Sequence, residues 1–243
     1  MTEPTRLSKR LAAQLSCSRR EAELYIEGGW VSVDGVVIEA PQHPVGPDQV
    51  VTLLPGACAE PVEPVTILLH KPAGYDADAG TGPRPAFTLL SPQTRATGDN
   101  PGIQPLHRHF TRLVAPLPLE TGASGLLVLT QDGRVIRKLN EDSALLEQEY
   151  VADIDGPISD AALKNLQTPV TFNGAPLPPV KVSRQSDTRL RFAMKGALSG
   201  QVAWMCERAG LTPVRIQRLR IGRIALAGLP EGQWRYLHER ERF

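Results

Sequence analysis

The chain has 243 residues, 41% of them hydrophobic and 22% charged, a balance that describes an ordinary globular protein with room for one medium domain or two small ones. No apolar run approaches the roughly 18 residues of a membrane helix, and the first ten residues have no apolar core behind their charges, so neither a membrane span nor a secretory leader is expected. A formal net charge of +1 and 5% aromatic content exclude a strongly basic, base-stacking nucleic-acid binder, so any RNA contact must come from local patches.

Residues 5–54 read as one small module. Leu7, Leu11 and Leu15 recur at helical spacing. Ser16 or Ser18 can cap a second helix, Arg19 to Glu27, with Ala22 and Ile26 facing inward and Glu21 near its start. Gly28-Gly29 ends it, and Trp30 to Ile38 alternates around an Asp34-Gly35 hairpin turn, with a further strand at Val50 to Leu53. Arg6, Lys9, Arg10, Arg19 and Arg20 could line one side of the two-helix unit and bridge phosphates. They could equally be a solvated face, since Glu21, Glu23 and Glu27 dilute their charge. Residues 55–64 are rich in proline and small residues and read as a linker.

From residue 65 onward the elements are longer. Val65 to Leu69 is an apolar strand that runs into His70-Lys71-Pro72-Ala73-Gly74-Tyr75, a turn in which His70 and Lys71 have an alternative reading as surface groups. Residues 76–102 read as a long loop, mobile or wrapped on substrate. His107, Arg108, His109 and Arg112 form a small basic cluster, either an RNA-backbone contact or a solvated turn. Leu126 to Leu129, bounded by Gly125 and by Gln131-Asp132-Gly133, fits a buried central strand. Glu120 stands just ahead of it on the small-residue turn Thr121-Gly122-Ala123-Ser124, as a reactive carboxylate at a cleft or as a solvated loop residue.

A short helix or turn is expected over 134–139, and a strand from Glu147 that carries Tyr150. An amphipathic helix follows over 158–166, then a Pro-rich loop with an edge strand over 170–182 and a half-buried strand over 188–194. Leu198 to Cys206 opens a helix. Cys17, Cys58 and Cys206 are far apart and lack metal-ligand spacing, which suggests a reducing cytoplasm without disulfides.

Several segments together carry a family resemblance. Arg6-Leu7-x-Lys9, Cys17-Ser18-Arg19-Arg20-Glu21-Ala22, Ile26-Glu27-x-Gly29-x-Val31 and the Asp34-Gly35 turn follow the S4 RNA-binding domain. Lys71-Pro72-x-Gly74, the stretch Pro116 to Gly133, Glu147 to Ile154, Gln201 to Cys206 and the ending Leu229-Pro230-x-Gly232-x-Trp234-Arg235 resemble the S4-bearing pseudouridine synthases of ribosomal RNA. The resemblance spans about Arg6 to Leu237. It implies an α+β chain: an S4 domain at 5–54, a linker at 55–64, and a synthase-type domain at 65–243 built on a mixed, mainly antiparallel sheet. It also implies a monomer in the cytoplasm that acts on structured, ribosomal RNA and uses neither a metal nor an organic cofactor.

The family's reaction detaches uracil from C1′ of a flipped-out uridine and rejoins it through C5. Without gaps on Ser124-Gly125-Leu126-Leu127, the family's catalytic Asp falls on Glu120, its neighbouring Arg on Pro118, its Gly on Leu117 and its Thr on Ala123. The Tyr that lies against the target base falls on Tyr150, and the three arginines of the last motif fall on Gly200, Ala203 and Trp204. The resemblance thus implies catalytic roles for Glu120 and Tyr150, and RNA contacts from Arg6, Lys9, Arg10, Arg19, Arg20, Lys71, Arg108 and Arg112. Arg108, Arg112 or Arg218 would supply the counter-charge. The alternative expectation is an inactive S4-dependent RNA-binding or ribosome-assembly protein.

Overall fold

The computed structural model describes residues 4–77, 82–99, 102–172 and 175–243. It divides into two compact units, one of residues 1–64 and 104–111, the other of residues 65–103 and 112–243.

In the first unit, β1 (Thr5–Arg6) leads into α1 (Leu7–Leu15) and α2 (Arg19–Glu27). Four strands follow: β2 (Val31–Val33), β3 (Val36–Val37), β4 (Pro44–Val45) and β5 (Val51–Leu53). Ser18 starts α2 as anticipated: its hydroxyl accepts the Glu21 amide at 3.1 Å and its own amide donates to the Glu21 carboxylate at 3.4 Å, so two orphan donors are satisfied reciprocally. Leu7, Leu11, Ala22 and Ile26 bury one face of the helix pair against Val31, Val33, Val45 and Val51. Strands β3, β2 and β5 form an antiparallel sheet in that order. Residues 104–111 pack in this same unit, where the His107 amide donates to Glu39 at 2.7 Å and Arg108 to Glu27 at 2.9 Å.

The second unit is built on β6 (Thr66–Lys71), β7 (Ser124–Thr130), β8 (Glu147–Ile154), β9 (Thr171–Phe172), β10 (Ala175–Pro176), β11 (Lys181–Ser186), β12 (Arg189–Lys195), β13 (Pro213–Ile221), β14 (Ile224–Ala225) and β15 (Trp234–Tyr236). Three helices accompany them: α3 (Gly133–Glu141), α4 (Asp160–Leu166) and α5 (Gln201–Arg208). The main sheet runs β11-β12-β8-β13-β7-β6-β15, with β14 beside β13. Every pairing in it is antiparallel except that of β13 with β7.

β6 and β7 are buried along their whole length, which is why both read as continuous apolar runs rather than alternations. β12, nearer the edge, alternates exposed Arg189 and Arg191 with buried Leu190, Phe192 and Met194. Leu68, Leu126, Val128, Leu139 and Ile221 form the core behind the central strands.

Two expected loops are more ordered than their composition suggests. Residues 78–81, 100 and 101 of the first lie outside the described residues; the rest includes 3-10 turns at Ala86–Leu89 and Pro92–Thr94. In the second, residues 173 and 174 lie outside the described residues, and β9 pairs with β10. Among the described residues no helix is long and apolar enough to cross a membrane.

Candidate active site

The turn that follows Glu120 closes with the Ala123 amide donating to the Glu120 carbonyl at 3.0 Å. Lys71 holds that turn from beneath. It ends β6, is 0% exposed, and aims its ammonium at four backbone carbonyls: Ala123 at 2.6 Å, Tyr75 at 2.7 Å, Pro72 at 3.1 Å and Thr121 at 3.3 Å. The Gly74 amide donates to the Thr121 carbonyl at 2.7 Å, and the Thr121 hydroxyl donates to Asp76 at 2.6 Å. The Lys-Pro-Ala-Gly segment and the Glu120 turn are therefore one hydrogen-bonded unit. Burial lowers the Lys71 pKa to about 8; the Glu120 carboxylate pushes it back up, the Arg218 guanidinium pushes it down, and Asp76 raises it.

Arg218 is the second buried cation of the site, 1% exposed. Its Nε donates to the Leu126 carbonyl at 2.8 Å, Nη2 to Leu117 at 2.9 Å, and Nη1 to Pro118 and to the Gln148 side-chain oxygen, both at 3.2 Å. The guanidinium thus spans from β13 across β7 to the segment that leads to Glu120. This is possible because β13 lies parallel against the start of β7, with Gln217 opposite Ser124 and Arg218 opposite Gly125. A longer residue than glycine could not sit there: a Cβ at 125 would stand 2.3 Å from the Arg218 carbonyl oxygen, and φ is +116°.

Tyr150 pairs with Arg218 across β8 and β13 and is 5% exposed. Its hydroxyl donates to the Gln148 side-chain oxygen at 2.9 Å, so Gln148 receives both the phenol and the guanidinium. Burial raises the phenol pKa, against the pull of Arg218, and Glu120 raises it further, so Tyr150 is a neutral phenol. These side chains border a cavity of about 430 Å³ whose walls include Pro118, Gln148, Tyr150, Ser199 and Arg218. Its size suits a flat heterocycle with its sugar.

Glu120 is half-buried, and both Lys71 and Tyr150 feel its charge, yet among the described residues it forms no ion pair closer than 4.0 Å. The four side chains that the structure gathers are Glu120, Lys71, Tyr150 and Arg218. Lys71 departs from its reading as an RNA contact, because its charge is committed to the protein's own carbonyls. Arg112 is exposed, in a left-handed conformation with φ of 54°. Arg108 stands in the first unit, paired with Glu27.

Arg6, Lys9, Arg19 and Arg20 are exposed on the first unit and Arg10 is half-buried; Arg19 and Arg20 share Glu23 at 3.3 and 3.7 Å. On the helix of the last motif, Gly200 is the cap of α5, and Ala203 and Trp204 bring no cation. Sequence reasoning missed Gln148 and Asp76. Gln148 sits two residues before Tyr150 on a strand, hence on the same face, and that spacing was the available signal; nothing local marked Asp76.

Comparison with known proteins agrees with this geometry. The S4 domain family profile matches residues 5–51. The dual-specificity RNA pseudouridine synthase RluF of Escherichia coli O6:H1 is 30% identical over 239 residues, covering 97% of this chain and 76% of the relative. An uncharacterised RNA pseudouridine synthase of Aquifex aeolicus is 28% identical over 240 residues, covering 97% and 94%. A crystal structure of a pseudouridylate synthase superposes with a TM-score of 0.61 at 18% identity over 96% of both chains, which establishes the shared fold. The chain belongs to the S4-domain-bearing RNA pseudouridine synthase family.

Proposed function

We propose that this protein binds folded ribosomal RNA as a monomer and isomerises one uridine in it, with Glu120 as the reacting carboxylate. The observation that carries the reading is the placement of Glu120 on a turn fixed by Lys71, two residues after Pro118, which with buried Arg218 and Tyr150 lines a cavity of nucleoside size. In the isomerisation the N1–C1′ bond breaks, uracil turns in the cavity, and C5 bonds to C1′. The C5 proton leaves and N1 takes up a proton, so composition is unchanged.

Glu120 has one methylene more than the family's Asp, and a displacement of about 1 Å in a positioned reactant costs on the order of 100-fold. The two cations beneath the turn offset part of that loss. Their positive charge favours the negative charge that develops there, a role for which α5 supplies no arginine. Tyr150, a neutral phenol, forms the wall against which the base lies. Arg6, Lys9, Arg10, Arg19 and Arg20 serve as phosphate contacts of the first unit, with Arg108 and Arg112 as further basic groups.

The test is pseudouridine mapping of ribosomal RNA from cells with and without the gene, complemented with variants. One uridine should lose its modification in the deletion. Glu120→Ala should not restore it, and Glu120→Asp should restore it at the wild-type level or above.

A second reading is RNA binding without turnover, favoured by Pro118 in place of an arginine and by Gly200, Ala203 and Trp204 in the last motif. It takes over if no uridine changes while Arg19→Ala with Arg20→Ala weakens RNA binding.

A further inference from the structure

We propose that Tyr75 and Arg84 form a stacking site for an unpaired base of the RNA, next to the nucleotide that reaches Glu120; this rests on the RNA-directed reading above. The Arg84 guanidinium lies over the Tyr75 ring, 4.5 Å from its centroid, and its Nη2 donates to the Tyr75 hydroxyl at 3.2 Å. Arg84 is exposed and Tyr75 half-buried. A guanidinium held over an aromatic ring presents a second planar surface outward, and bases stack on such planes without regard to sequence. Among the described residues no carboxylate pairs with the Arg84 guanidinium, so its charge is available to a phosphate of the same nucleotide.

The pair is mounted on the reactive turn rather than on a free loop. The Asp76 amide donates to the Arg84 carbonyl at 2.8 Å, the Ala86 amide to the Asp76 carbonyl at 2.7 Å, and the Arg84 amide to the Asp76 carboxylate at 3.3 Å. These bonds bring the two ends of the 76–86 segment together and set Arg84 over Tyr75. A side chain at position 82 would displace the Asp76 carboxylate from that closure, because a Cβ there would lie 1.8 Å from it. Asp76 also accepts the Thr121 hydroxyl, and the Lys71 ammonium joins the carbonyls of Tyr75 and Thr121. Thr121 adjoins Glu120, so two links, the Asp76–Thr121 bond and the Lys71 bridge, hold the stacked pair in register with the reactive carboxylate.

The experiment uses the full chain and protein-free ribosomal RNA as probe, comparing wild type with Tyr75→Leu, Arg84→Gln and Arg84→Lys; Arg137→Gln, on the exposed face of α3, is the control. At the uridine found by mapping, Tyr75→Leu and Arg84→Gln should raise KM about tenfold with kcat nearly unchanged, the scale of one lost stacking contact. Arg84→Lys should recover only part of the loss, since it keeps charge without the plane. Wild-type KM in both variants overturns the proposal. If the wild type forms no pseudouridine, the reaction assigned to Glu120 fails and the stack is judged by the RNA dissociation constant instead. A roughly tenfold weakening in the same two variants then supports it, and an unchanged constant overturns it.

Discussion

Gly125 and Arg218 meet backbone to backbone: a Cβ on Gly125 would stand 2.3 Å from the Arg218 carbonyl oxygen and 2.5 Å from its amide nitrogen. This contact is the parallel seam of the sheet, and it seats the buried guanidinium under the approach to Glu120. Gly125→Ala adds a clash with backbone to a strained φ of +116°, and neither can relax without parting β13 from β7. The expected cost is about 3 kcal/mol or more. A urea-unfolding midpoint within error of wild type would sink this account.

Among the described residues Arg218 pairs with no acid; it satisfies three backbone carbonyls and the Gln148 oxygen. Arg218→Met takes the donor from all four acceptors, of which the Gln148 oxygen keeps the Tyr150 hydroxyl, at a cost of about 3 kcal/mol, because buried acceptors lose a partner without water to replace it. Arg218→Lys should recover only a fraction, since an ammonium cannot span from Leu126 to Leu117. Both variants should also lower pseudouridine formation more than stability alone explains, as Pro118 and Leu117 drift. The check is calorimetry alongside single-turnover product formation on the folded fraction; full activity in Arg218→Met would remove Arg218 from the site.

Much of this was legible because it is local. The Ser18 to Glu21 spacing announces a capping box, and the unbroken apolar runs at 67–69 and 126–129 announce strands covered on both faces. Lys71 misled for the same reason: at a strand end beside a proline it reads as a surface cation. Its burial depends on carbonyls some 50 residues away that no local pattern reveals. Arg218 looked like one of three equivalent counter-charges until the β13–β7 seam singled it out, and that pairing joins segments 93 residues apart (218 minus 125). The 104–111 segment packing with the first unit is likewise a long-range choice, made by Glu27 and Glu39.

His109 in that segment makes a pH prediction. It is 3% exposed, and the Leu106 amide donates to its Nδ1 at 3.4 Å. Burial, then the nearby Arg108 charge, lowers its pKa to about 4 from an ordinary 6.5. The unfolded chain therefore binds the proton more readily between those values, and the stability that neutral His109 contributes is complete above pH 6.5 and lost as pH falls toward 4. The full difference is about 3 kcal/mol. Carboxylates titrate in part of the same window, so the measurement is the difference between wild type and His109→Gln in urea midpoints from pH 7 to 4. The wild type should lose more stability than the variant on acidification; parallel curves would refute the assignment.

Lys71 separates activity from stability at the alkaline end. Its pKa in the folded chain is about 8, below the ordinary 10.5. Between these values the unfolded chain binds more protons, so this group makes global stability rise with pH, by up to about 3 kcal/mol across the window. Function should move the other way. Above pH 8 the neutral amine has lost a proton that four carbonyls compete for, so the turn that carries Glu120 loosens. Single-turnover pseudouridine formation should therefore fall through about pH 8 with one-proton steepness while the chain stays folded. Lys71→Arg cannot titrate in this range and should show a lower but flat profile. A wild-type rate that holds level to pH 9.5 would mean that the ammonium is not required.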